Sequence, residues 1–420
     1  MREVLDTYLL GIAPRVVGLV LLVGVACGLV GALYLLLLHL LQHVLWPTEW
    51  SGAVGFLILG GVGVAVAVLV RVLGSSGDVE LMVDNIHISG TATGMRTLRS
   101  LIPTSLLCIS SGGAMGPEAP LVQTTGTLAS YAATRARLAV RESRVLTIAG
   151  MAAGFTVLFG APLGAAVFAL ELLHRRGLQY YEALLPAVLG SLAGYGVYVA
   201  ATGAGLEPVW HLPSAPPVHF ADLGWALVAG AGGALIAIAF TYSTAVLRWC
   251  SHRLPQSVRP VSGGLLLAAL GLLSAYSLTF GEAQINEIVS KRGGTVAFFA
   301  LAALAKLAGT SVTLSAEWRG GFIIPLFFMG ACVARAFHGL VPGAEEAVMI
   351  AAFMAAANTG VTKTPLGSTL VVTEMAGVRL LPTTLIAVIV SFVLTSGVGL
   401  IHTQRERDPD DERDDETGIA

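Results

Sequence analysis

Charge is scarce in this chain. Only 12% of its 420 residues are Asp, Glu, Lys or Arg, whereas a soluble domain carries about 25%. No residue from Val16 to Trp46 has a formal charge, and a second uncharged run covers Ser51 to Val70. A helix over the first run would be longer than the hydrocarbon core of a bilayer, about 30 Å, so it must tilt. The composition excludes a soluble protein and predicts a multi-pass membrane protein.

Motifs of metal sites and of intramembrane enzymes are also missing. The four cysteines (Cys27, Cys108, Cys250 and Cys332) have no metal-binding spacing, and they are expected to be small core residues. The chain has no His-Glu-x-x-His sequence, and it has no pair of aspartates at matched depths in two apolar segments. These absences argue against an enzyme, a cofactor and a nucleic-acid partner.

Glycine and proline, by contrast, interrupt the apolar segments throughout. The chain has 50 Gly and 18 Pro, and several apolar segments are shorter than a bilayer-spanning helix. Short, broken helices are tolerated in lipid only where their ends face protein or a watery cavity. We therefore predict an all-α membrane domain typical of transport proteins over residues 14–403. It follows an N-terminal segment, 1–13, and precedes an acidic, disordered tail, 404–420.

An internal repeat divides the predicted domain. Three landmarks recur at nearly constant offsets: Pro120 to Pro325 (205 residues), Pro162 to Pro365 (203) and Glu171 to Glu374 (203). The spacing predicts two repeats, about 14–202 and 222–403, joined by a Pro- and Gly-rich stretch. Repeats in transporters place the substrate site at their interface, with the N-termini of half-helices directed at anions.

The sequence Gly116-Pro117-Glu118-Ala119-Pro120 opens an apolar helix in the first repeat. Glycines and proline at a helix start leave free N–H groups in the first turn, which form an anion site. A carboxylate there can occupy the anion site and leave when it is protonated or displaced. Because an ionisable residue inside a membrane domain is functional by default, we interpret Glu118 as a gate rather than as a simple helix cap.

Two glycine-containing stretches supply further candidate ligands. The sequence Gly320-Gly321-Phe322-Ile323-Ile324-Pro325 opens a helix in the second repeat, and its amides are predicted to point at an anion. The turn from Gly74 to Val79 offers a serine hydroxyl that donates to a halide without the cost of burying a charge. Either Ser75 or Ser76 is that serine.

Taken together, these residues resemble the CLC family of chloride channels and chloride/proton exchangers, over about residues 14–403. The Glu118 loop resembles the family's G-R/K-E-G-P motif, with Pro117 and Ala119 as departures. Gly321 to Pro325 resembles G-x-F-x-P, and residues 75–79 resemble G-S-G-I-P. The closest local match runs from Gly150 to Glu171.

The resemblance implies about 18 helices in two inverted-topology repeats, and a homodimer in a prokaryotic inner or plasma membrane with a separate anion path in each subunit. It also implies bound chloride as the only ligand, gated by Glu118. The anion-binding residues that it implies, including the backbone neighbours of the amides, are Ser76, Ala119, Gly321, Phe322, Ile323 and Ile324.

Two departures from the family bear on mechanism. The family closes the inner side of the site with a tyrosine, but no tyrosine follows Tyr276, and the matching position falls at Thr403 or Ile401. Proton-coupled members carry an acid at the position of Leu172, so Glu171 is the remaining candidate relay unless its role is structural. The sequence favours a channel-like or weakly coupled path, with a chloride/proton antiporter as the alternative.

Overall fold

The structure is a computed structural model, and it describes residues 14–46, 52–203, 210, 212–213 and 218–406. The whole predicted N-terminal segment, 1–13, lies outside this part of the chain, and so does the predicted acidic tail from residue 407 on. Within the described residues every regular element is helical, which confirms the predicted all-α class.

Sixteen α-helices are present in the described residues, compared with the expected 18 or so. They are α1 (Pro14–Leu45), α2 (Gly52–Leu73), α3 (Val79–Ser89), α4 (Met95–Ser110), α5 (Glu118–Ala136), α6 (Val140–Phe159), α7 (Pro162–Glu171), α8 (Leu184–Thr202), α9 (Phe220–Ser251), α10 (Arg259–Leu273), α11 (Glu282–Ser290), α12 (Val296–Ser315), α13 (Ile323–Leu340), α14 (Glu346–Thr362), α15 (Pro365–Ala376) and α16 (Leu381–Leu394). Residues 395–406 are not helical; they form turns and irregular chain that pack against the domain.

Seven of these helices are long and apolar enough to cross a membrane. Others, such as α7 with 10 residues and α15 with 12, are far too short to span a bilayer alone. Both begin with a proline, whose missing N–H costs nothing at a helix start. Most of their residues are buried in protein, as short membrane helices require, although Leu163 and Leu366 near their N-termini are exposed.

Reciprocal contacts relate the two halves of the chain. Gly116 and Gly321 exchange two backbone hydrogen bonds, from Gly116 N to Gly321 O (2.9 Å) and from Gly321 N to Gly116 O (2.6 Å). A β-carbon on Gly164 of α7 would lie 2.5 Å from Val371 N, and one on Gly367 of α15 would lie 2.5 Å from the Phe168 Cα. Gly164 and Gly367, which lie 203 residues apart in the sequence, therefore make equivalent contacts. Helices α7 and α15 pack closely at these two glycines.

Two details differ from the sequence-based expectations. The packed domain continues past residue 403: Gln404 is buried, and Glu406 pairs with Arg176 at 2.9 Å. The prediction of four core cysteines is wrong for Cys250, which is exposed near the C-terminus of α9.

Candidate functional site

Glu118 lies at the point where the two halves of the domain meet. It is the first residue of α5, and its side chain is fully buried. Its Oε1 accepts a hydrogen bond of 2.6 Å from the backbone N–H of Ile324, in the first turn of α13. The carboxylate therefore occupies the N-terminus of a helix from the opposite half, where a helix binds an anion.

Two glycines make room for this carboxylate. A β-carbon on Gly116 or on Gly321 would lie 2.2 Å from Glu118 Oε2. That distance is a collision, so any side chain at either position would push the carboxylate out of place. The pair belongs to the same reciprocal backbone bridge between the halves, so the bridge both joins the repeats and shapes the site.

A small cavity, here called the central cavity, adjoins the Glu118 side chain. Its volume is about 30 Å³, enough for one water-sized particle. It is lined by Glu118 and by five of the other residues predicted from the sequence to act at the site: Ala119, Gly321, Phe322, Ile323 and Ile401. Ile324 contributes the amide that holds the carboxylate.

The structure distinguishes the two candidate filter serines by burial. Ser76 is fully buried, and among the described residues its Oγ has no hydrogen-bond partner. Ser75 is exposed, and its Oγ accepts a 3.4 Å hydrogen bond from Gly77 N within the same turn. Ser76 itself is not part of the cavity wall, but Val79 lines the central cavity. A buried hydroxyl without a partner has a free donor, as a halide ligand requires.

Ile401 lines three cavities, which makes it the junction between them. Besides the central cavity these are the Gln123 cavity, about 110 Å³, and the arginine cavity, about 510 Å³. The Gln123 cavity is lined by Ala119 and Gln123, and the arginine cavity by Arg175, Arg248 and Lys363. Thr403, the other candidate for the inner gate, is absent from all three linings.

Leu172 and Glu171 face different surroundings. Leu172 lines the central cavity, so an apolar side chain stands beside Glu118. The Glu171 carboxylate instead accepts hydrogen bonds from the amides of Leu366 (3.2 Å) and Gly367 (2.7 Å), at the N-terminus of α15. Glu374, its repeat counterpart, accepts a 3.1 Å hydrogen bond from Gly164 N at the N-terminus of α7.

Three residues that line the Gln123 cavity were not predicted from the sequence: Gln123, Arg248 and Arg319. Gln123 is buried one turn beyond Ala119, and Arg319 precedes the predicted Gly320–Pro325 stretch, so both lie beside motifs. Arg248 is 130 residues from Glu118 in sequence, and only the folded arrangement of α9 brings it to the Gln123 cavity. Lys306, an ionisable residue in an apolar segment, lies elsewhere; its Nζ donates to the carbonyl oxygens of Leu278 and Thr279.

Comparison with known proteins gives consistent matches over nearly the whole chain. Residues 63–396 match the family model described as voltage gated chloride channel. The "Chloride/fluoride channel protein" of Pseudomonas syringae pv. tomato is 28% identical over 414 residues, covering 94% of this chain and 88% of that protein. A "Putative ion-transport protein YfeO" of Escherichia coli O1:K1 is 26% identical over 413 residues, covering 93% and 95%.

Solved structures show the same fold. A slow cyanobacterial Cl⁻/H⁺ antiporter superposes with a TM-score of 0.81 at 20% identity, covering 92% of this chain and 95% of that one. A CLC-type fluoride/proton antiporter superposes with a TM-score of 0.82 at 22% identity, covering 93% and 98%. With the family model matching most of the chain, this multi-pass membrane protein belongs to the voltage-gated chloride channel family, the CLC family.

Proposed function

We propose that this protein passes small anions, chloride foremost, along a path gated by Glu118. Family membership supports anion transport in general. The observation that carries the specific proposal is the buried Glu118 carboxylate, bonded to the Ile324 amide and flanked by Gly116 and Gly321. The carboxylate stands where a transported anion would bind, so anion and side chain compete for one place.

Protonation gives the carboxylate a way to leave. Among the described residues Glu118 has no ion-pair partner, and its Oε2 has no hydrogen-bond partner. Adding a proton removes the negative charge that the N-terminus of α13 attracts, which weakens the hold of the Ile324 amide. The site then becomes free for an anion. Flux through the wild-type protein should therefore rise as pH falls.

The experiment that tests this gate uses Glu118→Gln. Glutamine has the shape of the protonated acid and cannot titrate. We expect the variant to release chloride from liposomes at a rate that no longer changes with external pH, measured with a chloride electrode. Glu287→Gln is the matched control, because Glu287 is an exposed glutamate of α11 outside the site. If Glu118→Gln keeps the wild-type pH dependence, Glu118 is not the gate.

The filter and the inner closure belong to the same proposal. We assign Ser76 as the hydroxyl ligand, supported by its burial and free Oγ. The amides of Phe322 and Ile323, whose residues line the central cavity, are the backbone ligands. Ile401 is the inner closure, supported by its place in the walls of all three cavities.

A chloride/proton antiporter is the second candidate. Both solved structures reported above are described as antiporters, one of chloride and protons and one of fluoride and protons. Leu172 in the wall of the central cavity favours the uncoupled path, because its side chain carries no proton. Family membership also supports a homodimer in which each subunit carries its own path.

A further inference from the structure

Gln404 connects the two halves of the chain beside the central cavity. Its side chain is buried, and its Nε2 donates hydrogen bonds to the carbonyl oxygens of Leu172 (2.9 Å) and Thr362 (2.8 Å). Both partners are acceptors, so only the amide nitrogen of the glutamine can face them. Leu172 belongs to the first half and Thr362 to the second, and both line the central cavity. One amide group therefore joins two parts of the cavity wall.

The two carbonyls lie at the C-terminal ends of helices. Leu172 is the residue that caps α7, and Thr362 is the last residue of α14. The last carbonyl groups of a helix have no partner within it, and a buried one needs a donor from elsewhere. Lys363 Nζ supplies such a donor to Gly360 O of α14, at 2.6 Å. Gln404 supplies it to the two carbonyls of the cavity wall, so an apolar side chain in its place would remove both hydrogen bonds.

Ile401 lies three residues before Gln404 in the irregular segment 395–406. Because this segment is not helical, its contacts with the helices decide where Ile401 lies. Arg405 contacts Asp84 at 3.1 Å, but the two side chains are 48% and 39% exposed, and exposed ion pairs contribute little to stability. The two hydrogen bonds of Gln404 are buried, where leaving an acceptor unsatisfied is costly. Gln404 is therefore the stronger of these two attachments.

We propose that Gln404 is a positioning residue, which holds Ile401 across the path by attaching residues 395–406 to the ends of α7 and α14. This rests on the proposed function, in which Ile401 closes the inner side of the path. Gln404 acts through Ile401 and does not itself bind the anion. Loss of its two donors should loosen the closure and leave the pH-dependent gate at Glu118 intact.

Chloride flux from liposomes tests whether Gln404 acts through Ile401. Methionine keeps the unbranched shape of glutamine and removes its donors, so we expect Gln404→Met to raise the flux about threefold and to keep the wild-type pH dependence. Added to Ile401→Ala, the same substitution should change the flux by less than about 1.5-fold, because the closure is already gone. Gln256→Met is the matched control, because Gln256 is exposed between α9 and α10. An unchanged flux in Gln404→Met, or a threefold rise that persists with Ile401→Ala, would overturn the proposal.

Thiol labelling gives a second test that needs no transport. Ile401 is only 6% exposed, so the thiol introduced by Ile401→Cys should react slowly with N-ethylmaleimide. The protein is purified in detergent and carries Cys250→Ser, because Cys250 is exposed; mass spectrometry follows each labelled site. We expect Gln404→Met to speed labelling at position 401 about fivefold, with no change at the buried Cys332.

Equal labelling at position 401 with and without Gln404→Met would contradict the positioning role. An equal rise at Cys332 would indicate general loosening of the protein and would contradict it as well. If neither the wild type nor any variant transports chloride, yet labelling rises at position 401 alone, the proposed function fails and the attachment by Gln404 stands.

Discussion

The hold on the Glu118 carboxylate is incomplete. A buried charge is stable when it is paired or fully hydrogen-bonded. Here one oxygen has a single strong donor at 2.6 Å, and the other has no partner among the described residues. An unpaired oxygen makes the carboxylate easier to displace than a buried ion pair would be. A gate must be displaceable in this way, whereas a carboxylate that only caps a helix need not be.

The first prediction concerns the Ser76 hydroxyl and anion selectivity. We expect Ser76→Pro to raise the permeability to nitrate relative to chloride, because the substitution removes the donor suited to a halide and changes the loop beside α3. Ser75→Pro is the matched control in the same turn. The ratio is measured from reversal potentials with nitrate on one side and chloride on the other. An effect from Ser75→Pro alone would place the filter one residue away, and no effect from either would remove this loop from the path.

The second prediction concerns the two candidates for the inner closure, Ile401 and Thr403, which both have β-branched side chains. If Ile401 closes the path, Ile401→Ala should increase chloride flux severalfold, because a smaller side chain opens the junction of the three cavities. Thr403→Val, which keeps the shape and removes the hydroxyl, should leave flux unchanged. Chloride release from liposomes measures both. The reverse pattern would assign the closure to Thr403.

Motifs in the sequence predicted which segments form the candidate site, but they did not predict which backbone amide contacts Glu118. Glu118 and the glycine-rich helix starts were recognisable from the sequence alone. The free amides at a helix N-terminus bind anions, and glycines let an anion approach them. Which amide meets the carboxylate depends on how two distant helices dock, and the structure places Ile324 there. For the same reason the choice between Ile401 and Thr403 needed the fold, since the chain after α16 is irregular and has no periodicity to read.

At the scale of elements, α7 and α15 stabilise one another through their ends. The carboxylate of Glu171 bonds to the amides that open α15, and that of Glu374 bonds to an amide that opens α7. The two helices therefore run antiparallel, each placing an acid at the positive end of the other. The repeat offset of 203 residues was visible in the sequence, but this exchange was not, because it depends on contacts about 200 residues apart.

Reciprocal capping predicts matched losses of stability. Glutamine keeps one acceptor oxygen but loses the charge, so Glu171→Gln and Glu374→Gln should each lower stability by about 1–3 kcal/mol. Thermal unfolding in detergent, followed by intrinsic fluorescence, should show similar falls in midpoint for both. If Glu171→Gln leaves the midpoint unchanged while Glu374→Gln lowers it, Glu171 has another role, and proton transfer becomes the first to examine.

For the whole molecule, the question is whether anion movement is coupled to protons. Coupled exchange needs a titratable or water-lined route from Glu118 to the inner face. The central cavity instead presents Leu172 and Ile401, and both side chains are apolar. Glu171, the adjacent acid, is bonded to α15. These positions therefore offer a proton no carrier, which is what the proposed uncoupled path requires.

We therefore expect that a chloride gradient across liposomes will not drive protons uphill. The measurement is the external pH of a weakly buffered suspension after chloride-loaded liposomes are diluted into low-chloride medium, with valinomycin present to carry potassium and compensate charge. Chloride should leave while the pH stays constant until a proton ionophore is added.

Sustained proton uptake that disappears in Glu118→Gln would make the protein an exchanger. In that case Glu171→Gln separates two routes, with Glu374→Gln as the control for lost capping. Loss of uptake with chloride flux intact in Glu171→Gln alone would move the relay to Glu171, whereas uptake that persists would require a water-filled route past Leu172.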